Sequence, residues 1–320
     1  KSKGVAPTVK GGKGIYDRIS TISAVVTTKL GKYADKYLLL RKDEDVFEYF
    51  EHIKQAGKAA IDTETDSLDT IMCNLAGICV YTPGQKPAYI PMHHVSYVTG
   101  VESANQISDE VIRQCLEACK EENVGWVMHN SKFDIRVLRN QLGVDIPCVW
   151  DTLLAAKCLN ENESAALKDL HLKYCVSQDT ESLTYDKLFE GIPFTHVPIS
   201  IGYLYAAGDP VKTWELMEFQ QQYLTPKKLP GPYHVFSTVE MPLVPVVADM
   251  EDRGIGFDIQ FAQDLSDKYN VQLKEREQKF YEVLNMYADE INAYKSANPA
   301  HKLSDPVGIG SPTQIAIILY

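Results

Sequence analysis

Two carboxylates stand two residues apart at the end of an apolar stretch. Asp62 and Glu64 follow the sequence Ala-Ala-Ile at 59–61, which predicts a buried strand. Because side chains alternate between the two faces of a strand, both carboxylates point to the same face. Carboxylates that converge repel each other unless a cation lies between them, and Mg²⁺ and Mn²⁺ prefer such oxygen ligands. The pair indicates a divalent-cation site, although acidic pairs in solvated turns are also common.

A further acidic residue lies near the start of a predicted helix. The sequence His-Asn-Ser-Lys-Phe-Asp at 129–134 follows an apolar strand and opens this helix. Asn130 has a side chain that can cap a helix. Asp134 then lies in the first turn or just beyond, where the helix dipole favours an acid. A capped helix and a metal ligand explain this segment about equally well.

The third candidate pair is Tyr205 and Asp209, inside a helical pattern. Residues four apart share one face of a helix, and that face also carries Ile201. A carboxylate beside apolar residues needs a partner, and a structural hydrogen bond is the usual one. Pro210 follows directly, and a proline disfavours α geometry at the residue before it. We therefore expect a kink at Asp209.

In order, spacing and context, these segments resemble the three exonuclease motifs of the DEDD nuclease superfamily. The stretch DTETDSLD at 62–69 is similar, nearly residue for residue, to the first motif of the bacterial DNA polymerase I family. The segments 151–156 and 167–170 also resemble that family. The matching residues are Asp62 and Glu64 in the first motif, Asp134 in the second, and Tyr205 and Asp209 in the third.

The superfamily has two branches, which differ in whether the third motif supplies a tyrosine or a histidine. The histidine form would need a histidine five residues before the last aspartate, where this sequence has Leu204. The resemblance is therefore to the tyrosine branch, and it covers roughly residues 37–225.

The resemblance implies a fold and a reaction. The fold is α/β: a ribonuclease H-like exonuclease fold, with a mixed sheet flanked by helices, followed by a mainly α segment. The reaction is 3′→5′ hydrolysis of the terminal phosphodiester by two metal ions, Mg²⁺ or Mn²⁺. The implied roles are Asp62 bridging both ions, Glu64 and Asp209 completing the ion that activates water, Asp134 holding the second ion, and Tyr205 orienting the attacking water.

The implied substrate is a DNA 3′ end, single-stranded or frayed, and the product is a deoxynucleoside monophosphate. Leu68 matches an apolar wedge that packs against the terminal base. Thr65 and Asn130 match contacts to the terminal nucleotide.

The tail resembles the opening of the polymerase domain of family A enzymes at 240–243, 248–251 and 254–258, and a later element at the base of the thumb at 310–314. The palm carboxylates of that family are absent, so we expect this chain to act with the remainder of its own polymerase chain. The segment Lys-Lys-Leu-Pro-Gly-Pro at 227–232 interrupts regular secondary structure and gives the predicted domain boundary. The predicted domains are a basic N-terminal arm or linker at 1–36, an exonuclease domain at 37–226, and a truncated start of the polymerase domain at 233–320.

The net charge of −11 is unevenly distributed. Residues 1–42 hold ten Lys and Arg against two Asp, so the rest of the chain carries −19. An acidic body argues against a broad non-specific DNA-binding surface and suits a site that holds nucleic acid through bound cations. The basic arm is either a solvated flexible segment or a contact to a phosphate backbone.

No apolar run is long enough to span a membrane, and no signal peptide is evident, so we expect no membrane partner. Seven cysteines without a Cys-x-x-Cys pair predict reduced thiols in a cytoplasmic protein, in a bacterial or phage-infected cell. Two alternatives stay open. One is a stand-alone RNA 3′-exonuclease resembling ribonuclease D; the other is a catalytically silent exonuclease fold that guides DNA as a scaffold.

Overall fold

The computed structural model describes residues 12–96, 99–176, 184–189 and 191–319 of the 320-residue chain. The chain divides into two compact units, Lys1–Arg253 and Gly254–Tyr320.

A mixed sheet forms the centre of the first unit, and six strands belong to it in the described part of the chain. Their order is β1-β4-β3-β2-β5-β6. Strand β3 runs antiparallel to β2 and β4, whereas the other neighbours are parallel. This topology confirms the predicted ribonuclease H-like fold, and the strands predicted before Asp62 and before His129 are present. The strands are β1 Leu38–Leu39, β2 Lys58–Thr65, β3 Leu75–Tyr81, β4 Ala88–Pro91, β5 Gly125–Met128 and β6 Cys148–Asp151.

Helices flank the sheet. The hydroxyl of Ser108 accepts a hydrogen bond from the Val111 amide and caps its helix. Asp43 lies in the first turn of the preceding helix, where the helix dipole favours an acid, and Lys42 is at its N-cap. The helices are α1 Gly12–Leu30, α2 Asp43–Ala56, α3 Asp109–Glu121, α4 Ser131–Leu142, α5 Thr152–Leu159, α6 Leu167–Tyr174, α7 Tyr185–Phe189, α8 Ile199–Ala206, α9 Asp209–Gln221, α10 Pro230–Val235 and α11 Met241–Arg253, with 3₁₀ turns at Gly31–Lys36 and Phe194–His196 and a π turn at Phe236–Glu240.

Successive residues of the sheet pack into different cores. Ile78 lies in the cluster that includes residues of α2, α3 and α4. Cys79, the next residue of β3, lies in the cluster that includes residues of α7 and α8. Because both faces are covered, β3 is an almost continuous apolar run rather than an alternating one.

The prediction of an arm or linker at 1–36 is wrong for its described part. Helix α1 packs on α7 and α8. It buries Ile22 and Val26, with Ile19 and Leu30 packed beside them. These residues recur every three or four positions, which is the helical period. The Ser and Thr residues between them obscured that period. Residues 1–11 lie outside the described part of the chain.

The compact unit ends later than the predicted boundary at 227–232. Phe236 packs on Trp150, with ring centroids 4.6 Å apart. Helix α11 binds α4 through ion pairs: Arg136 contacts Glu251 and Asp252, at 2.5 and 2.7 Å. Segment 230–253 therefore belongs to the first unit, because its contacts reach back to α4 and β6.

The second unit is mainly helical, with α12 Ile259–Met286, α13 Ala288–Ala297 and α14 Pro312–Leu319. Asp258 caps α12 by accepting from the Phe261 amide at 2.9 Å. Pro312 begins α14, and the hydroxyl of Ser311 accepts from the Gln314 amide. Among the described residues of both units, no helix combines the length and the apolar character that crossing a membrane requires.

Candidate active site

Strand β2 carries the first two acids of the candidate site. Asp62 and Glu64 alternate with Thr63 along the strand, and both are partly buried. In the pairing with β3, Asp62 lies opposite Cys79. One ligand atom from each of Asp62, Glu64 and Cys79 lies within 4.8 Å of the others. The strand therefore turns the two carboxylates to one side, as the alternation predicted.

Asp134 reaches this strand from the first turn of α4 and is almost fully buried. Its Oδ1 accepts hydrogen bonds from the amide and the hydroxyl of Thr63, at 2.9 and 2.7 Å. These two bonds connect the second sequence motif to the first.

The start of α4 is held by a residue of the next strand. Asn130 is in the left-handed region at φ 66° and makes no side-chain capping bond, so the predicted Asn130 cap is wrong. Its amide donates to Oδ1 of Asp151 at 3.1 Å. The amide and the hydroxyl of Ser131 donate to Oδ2 of Asp151, both at 2.6 Å. Asp151 also caps α5, so one carboxylate fixes the beginnings of two helices.

Tyr205 and Asp209 lie on two helices rather than one. Helix α8 ends at Ala206, and α9 begins at Asp209, with Pro210 in its first turn. Proline fits the first turn of a helix because no backbone donor is needed there. We expected a kink within one helix at Asp209. Instead, one helix ends and another begins, which places the carboxylate of Asp209 at a helix N-terminus.

Two lysines neutralise Asp209. The ammonium of Lys212 lies 2.5 Å from Oδ1, and that of Lys168 lies 3.2 Å from Oδ2. Lys168 also stands over the ring of Tyr205, with its Nζ 3.7 Å from the ring centroid. It thus contacts both residues of the third motif from α6. Burial lowers the pKa of Lys168, although Asp209 acts in the opposite direction.

The remaining acids repel one another. Burial, followed by the charge of Asp209, raises the pKa of Glu64 to about 8. Burial raises the pKa of Asp134 to about 7, although the hydrogen bonds from Thr63 act against it. The pKa of Asp62 is also raised, first by burial and then by the charges of its neighbours. Asp209 is the exception: burial is outweighed by Lys168 and Lys212, which lower its pKa.

This arrangement fits divalent cations. The carboxylates of Asp62, Glu64 and Asp134 lie close together, and burial, followed by neighbouring acids, raises their pKa values. A cation among them would favour the ionised forms that burial and these acids disfavour. Their donor atoms are hard oxygens, which suit Mg²⁺ or Mn²⁺.

The ring of Tyr205 is held by aromatic neighbours. Phe189 packs against it edge-on, at 5.2 Å between centroids and 90° between planes. Phe194 and Tyr185 lie 6.2 and 6.3 Å away. The ring position therefore does not depend on a hydrogen bond of the hydroxyl.

The three predicted substrate contacts lie at the surface beside β2 and α4. Leu68 is 88% exposed, and Met72, four residues along the same loop, is 78% exposed. Leu68 is therefore not part of the core of this unit. The hydroxyl of Thr65 donates to the Ser67 carbonyl at 2.7 Å, and Asn130 is exposed.

Sequence reasoning named no role for Cys79, Asp151, Lys168 or Lys212. Asp151 and Lys168 lie in segments whose resemblance to a family was noted, but their partners are distant along the chain. Cys79 faces Asp62 only through the register of two strands. Lys212 is one turn after Asp209, a spacing that could have suggested the ion pair.

Comparison with known families gives one match that covers more than half of the chain. Residues 37–224 match the family model described as 3′-5′ exonuclease, the exonuclease domain of family A DNA polymerases. This range includes the candidate acids, Tyr205 and both lysines.

Individual relatives agree with this match. The chain is 32% identical to DNA polymerase I of Synechocystis over 258 residues, which are 79% of this chain and 24% of the relative. It is 27% identical to DNA polymerase I of Borreliella burgdorferi over 226 residues, 71% of this chain and 24% of the relative. The chain thus spans about a quarter of the length of these relatives.

One solved structure has the same fold over most of the chain. It is titled as the POL domain of Pol1 from M. smegmatis in complex with DNA primer-template and dNTP. The TM-score is 0.52 with 15% sequence identity, covering 78% of this chain and 37% of that one.

Proposed function

Because the chain belongs to the 3′-5′ exonuclease family of family A DNA polymerases, we propose that it removes nucleotides from the 3′ end of DNA to proofread for the polymerase of which it is part. The substrate is a single-stranded or frayed 3′ end, and the product is a deoxynucleoside monophosphate. The observation that carries the proposal is the convergence of Asp134 on the strand that bears Asp62 and Glu64, through its two hydrogen bonds from Thr63.

The residues that would hold two cations, Mg²⁺ or Mn²⁺, are Asp62, Glu64, Asp134 and Asp209. When bound, such ions lower the pKa of a water molecule and clamp the attacking and leaving oxygens of a phosphodiester. The protein supplies the positions: Thr63 holds Asp134, and Lys168 with Lys212 holds Asp209.

Tyr205 orients the attacking water through its hydroxyl. Burial raises the pKa of Tyr205 above its usual value, so the hydroxyl stays neutral at pH 7. A neutral hydroxyl positions water but is not a general base at this pH.

The 3′ end of the DNA strand is recognised at the loop that follows β2. Leu68 is an exposed apolar side chain four residues after Glu64 along the chain, and we assign it as the wedge against the terminal base. We assign Thr65 and Asn130 as contacts to the terminal nucleotide. The acidic body offers few phosphate contacts to offset the cost of unpairing a base. The enzyme therefore prefers ends that are already single-stranded. Its place of action is the cytoplasm of a bacterial or phage-infected cell.

The test uses an oligonucleotide labelled at its 5′ end, offered single-stranded, mismatched at the 3′ end, or fully paired. We expect a ladder that shortens from the 3′ end, fastest for the single strand and slowest for the paired end, and that stops with chelator. Ca²⁺ should support little turnover, because its coordination is longer and looser.

A matched RNA strand and two variants complete the design. Asp62→Asn should be inactive, whereas Glu48→Gln, at an exposed position of α2, should match the parent. Internal cuts, loss from the 5′ end, or equal rates on the three DNA substrates would contradict the proposal. Faster cleavage of RNA would favour a ribonuclease D-like activity, and no cleavage by the parent would favour a silent scaffold.

A further inference from the structure

A basic cavity adjoins the candidate active site. Its volume is about 790 Å³, and it lies between α1, the 3₁₀ turn after it, and helices α6 and α9. Glu215 is the one acidic residue among the described residues that line it, and its carboxylate is 2.5 Å from the ring nitrogen of His171. The lysines of the lining are Lys29, Lys32, Lys36, Lys86, Lys168 and Lys212.

This concentration of positive charge departs from the rest of the protein. The chain outside residues 1–42 carries a net charge of −19, yet the cavity gathers six ammonium groups. Lys32, Lys36 and Lys86 are exposed. Such a cavity in an acidic body attracts a polyanion to one place rather than to the whole surface.

Aromatic side chains alternate with these lysines. The rings of Tyr33 and Tyr37 are stacked at 5.6 Å between centroids and 9° between planes. Lys32 and Lys36 stand over the ring of Tyr33, with their Nζ atoms 5.1 and 5.6 Å from its centroid. Aromatic faces beside lysines are the combination with which proteins hold single-stranded nucleic acid, because bases stack on the rings and phosphates contact the ammonium groups.

The cavity shares a wall with the candidate active site. Lys168 and Lys212 line the cavity and also contact Asp209, and Tyr205 lies in the same wall. The hydroxyl of Tyr37 packs so closely on Gly208 that a Cβ there would lie 2.6 Å from it. The side chains of Lys168 and Lys212 therefore connect the cavity to Asp209.

We propose that this cavity binds the single strand of DNA whose 3′ end is in the active site, an inference that rests on the proposed function. Lys29, Lys32 and Lys36 follow each other by three and four residues, which places them along roughly 10–14 Å of helix. A row of this length matches a phosphodiester backbone, whereas a single phosphate needs donors that converge on one point. The N-terminal segment thereby serves as a strand-binding element of the exonuclease.

The test measures binding separately from hydrolysis. A fluorescent 12-residue oligothymidylate is titrated by anisotropy in EDTA, and kcat and KM are then measured on the same strand with Mg²⁺. The variant is Lys32→Gln with Lys36→Gln, and the matched control is Lys42→Gln with Lys120→Gln. The control removes two exposed charges that do not line the cavity.

We expect the cavity variant to raise Kd and KM about tenfold and to leave kcat near that of the parent. Each phosphate contact to a single strand contributes about 0.7 to the slope of log Kd against log salt concentration, so the loss of two contacts lowers the slope by about 1.4. The control should match the parent. Tyr33→Leu should weaken binding of the thymidylate strand but not of an abasic strand, because only the former has bases to stack.

Two results would overturn the proposal: equal Kd, KM and salt slope in variant and parent, or the same losses in the control. A cavity that takes the mononucleotide instead would show weaker inhibition by thymidine monophosphate in the variant, with an unchanged Kd for the strand. A parent that binds the strand with the expected slope but never cuts it would contradict the proposed function and not the cavity. If the parent cuts the strand and the variant has the same KM as the parent, the cavity proposal is contradicted and the proposed function is not.

Discussion

The amide and the hydroxyl of Thr63 donate to the same oxygen of Asp134, at 2.9 and 2.7 Å. Thr63 lies between Asp62 and Glu64 on β2, so these bonds set the distance between the strand acids and the helix acid. Hydrogen bonds to a charged group contribute about 1.5–3 kcal/mol each.

Thr63→Val tests this contact, because valine keeps the shape and the strand preference of threonine but lacks the hydroxyl. We expect a loss of about 1–2 kcal/mol in the free energy of unfolding at pH 8 and a lower exonuclease rate. Urea denaturation of the metal-free protein measures the first quantity. Thr63→Ser retains the hydroxyl and should stay near the parent. Equal stability of the valine variant and the parent would show that the hydroxyl bond is not stabilising.

Removing both strand acids separates catalysis from folding. In Asp62→Ala with Glu64→Ala, we expect nuclease activity to disappear while the metal-free protein melts at or slightly above the temperature of the parent. The reason is that each acid is destabilised in its ionised form by burial and by its neighbours. Thermal melts in EDTA and digestion of a labelled single strand measure the two effects. Glu117→Ala with Glu121→Ala, on the exposed side of α3, removes the same charge and should leave activity unchanged. Full activity in the first variant would refute the site.

Stability in the absence of metal should decrease as the pH rises. The pKa of Glu64 is about 8 in the folded protein, against 4.5 for an ordinary glutamate. The folded state therefore binds this proton more tightly than the unfolded state between these values. Its contribution is present below pH 4.5 and is lost by pH 8, with a slope of at most about 1.4 kcal/mol per pH unit for one group.

Urea melts at pH 5, 6.5 and 8 in EDTA would show this loss. Glu64→Gln should flatten the slope, whereas Glu48→Gln should not. Added Mg²⁺ should stabilise the parent more at pH 8 than at pH 6, since protons compete for the same oxygens. An equal slope in the parent and in Glu64→Gln would contradict the assignment of the raised pKa.

How far the sequence predicts this molecule depends on whether the signal is local. The apolar runs that precede Asp62 and His129 are local signals, and strands β2 and β5 are present there. Helix α1 was missed because its period consists of only four apolar residues with Ser and Thr between them, and because its burial depends on α7 and α8.

The residues of the candidate site also differ in whether their sequence signal is local. The acids could be recognised because each motif is short and contiguous. Lys168 and Asp151 could not be given roles, because they act on Asp209 and on the start of α4, 41 and 20 residues away along the chain. Pro210 did indicate an interruption of the helix before α9, because the effect of a proline on the preceding residue is local.

Tyr205→Phe isolates the hydroxyl of the third motif. The ring is fixed by Phe189 and by the ammonium of Lys168, 3.7 Å from its centroid, and phenylalanine can make both contacts. We therefore expect an unchanged fold, an unchanged affinity for divalent cations, and a rate that falls about 10²-fold, the lower end for a group that takes part in or orients proton transfer.

Metal titration of the melting temperature and single-turnover hydrolysis of a labelled strand, run side by side, separate the effect of Tyr205→Phe on cation binding from its effect on the rate. Tyr203→Phe, two residues earlier on α8, removes a hydroxyl outside the aromatic contacts of Tyr205 and should behave as the parent. If the cation affinity of Tyr205→Phe falls in parallel with its rate, the hydroxyl has a structural role, and the assignment of Tyr205 as the residue that orients water is wrong.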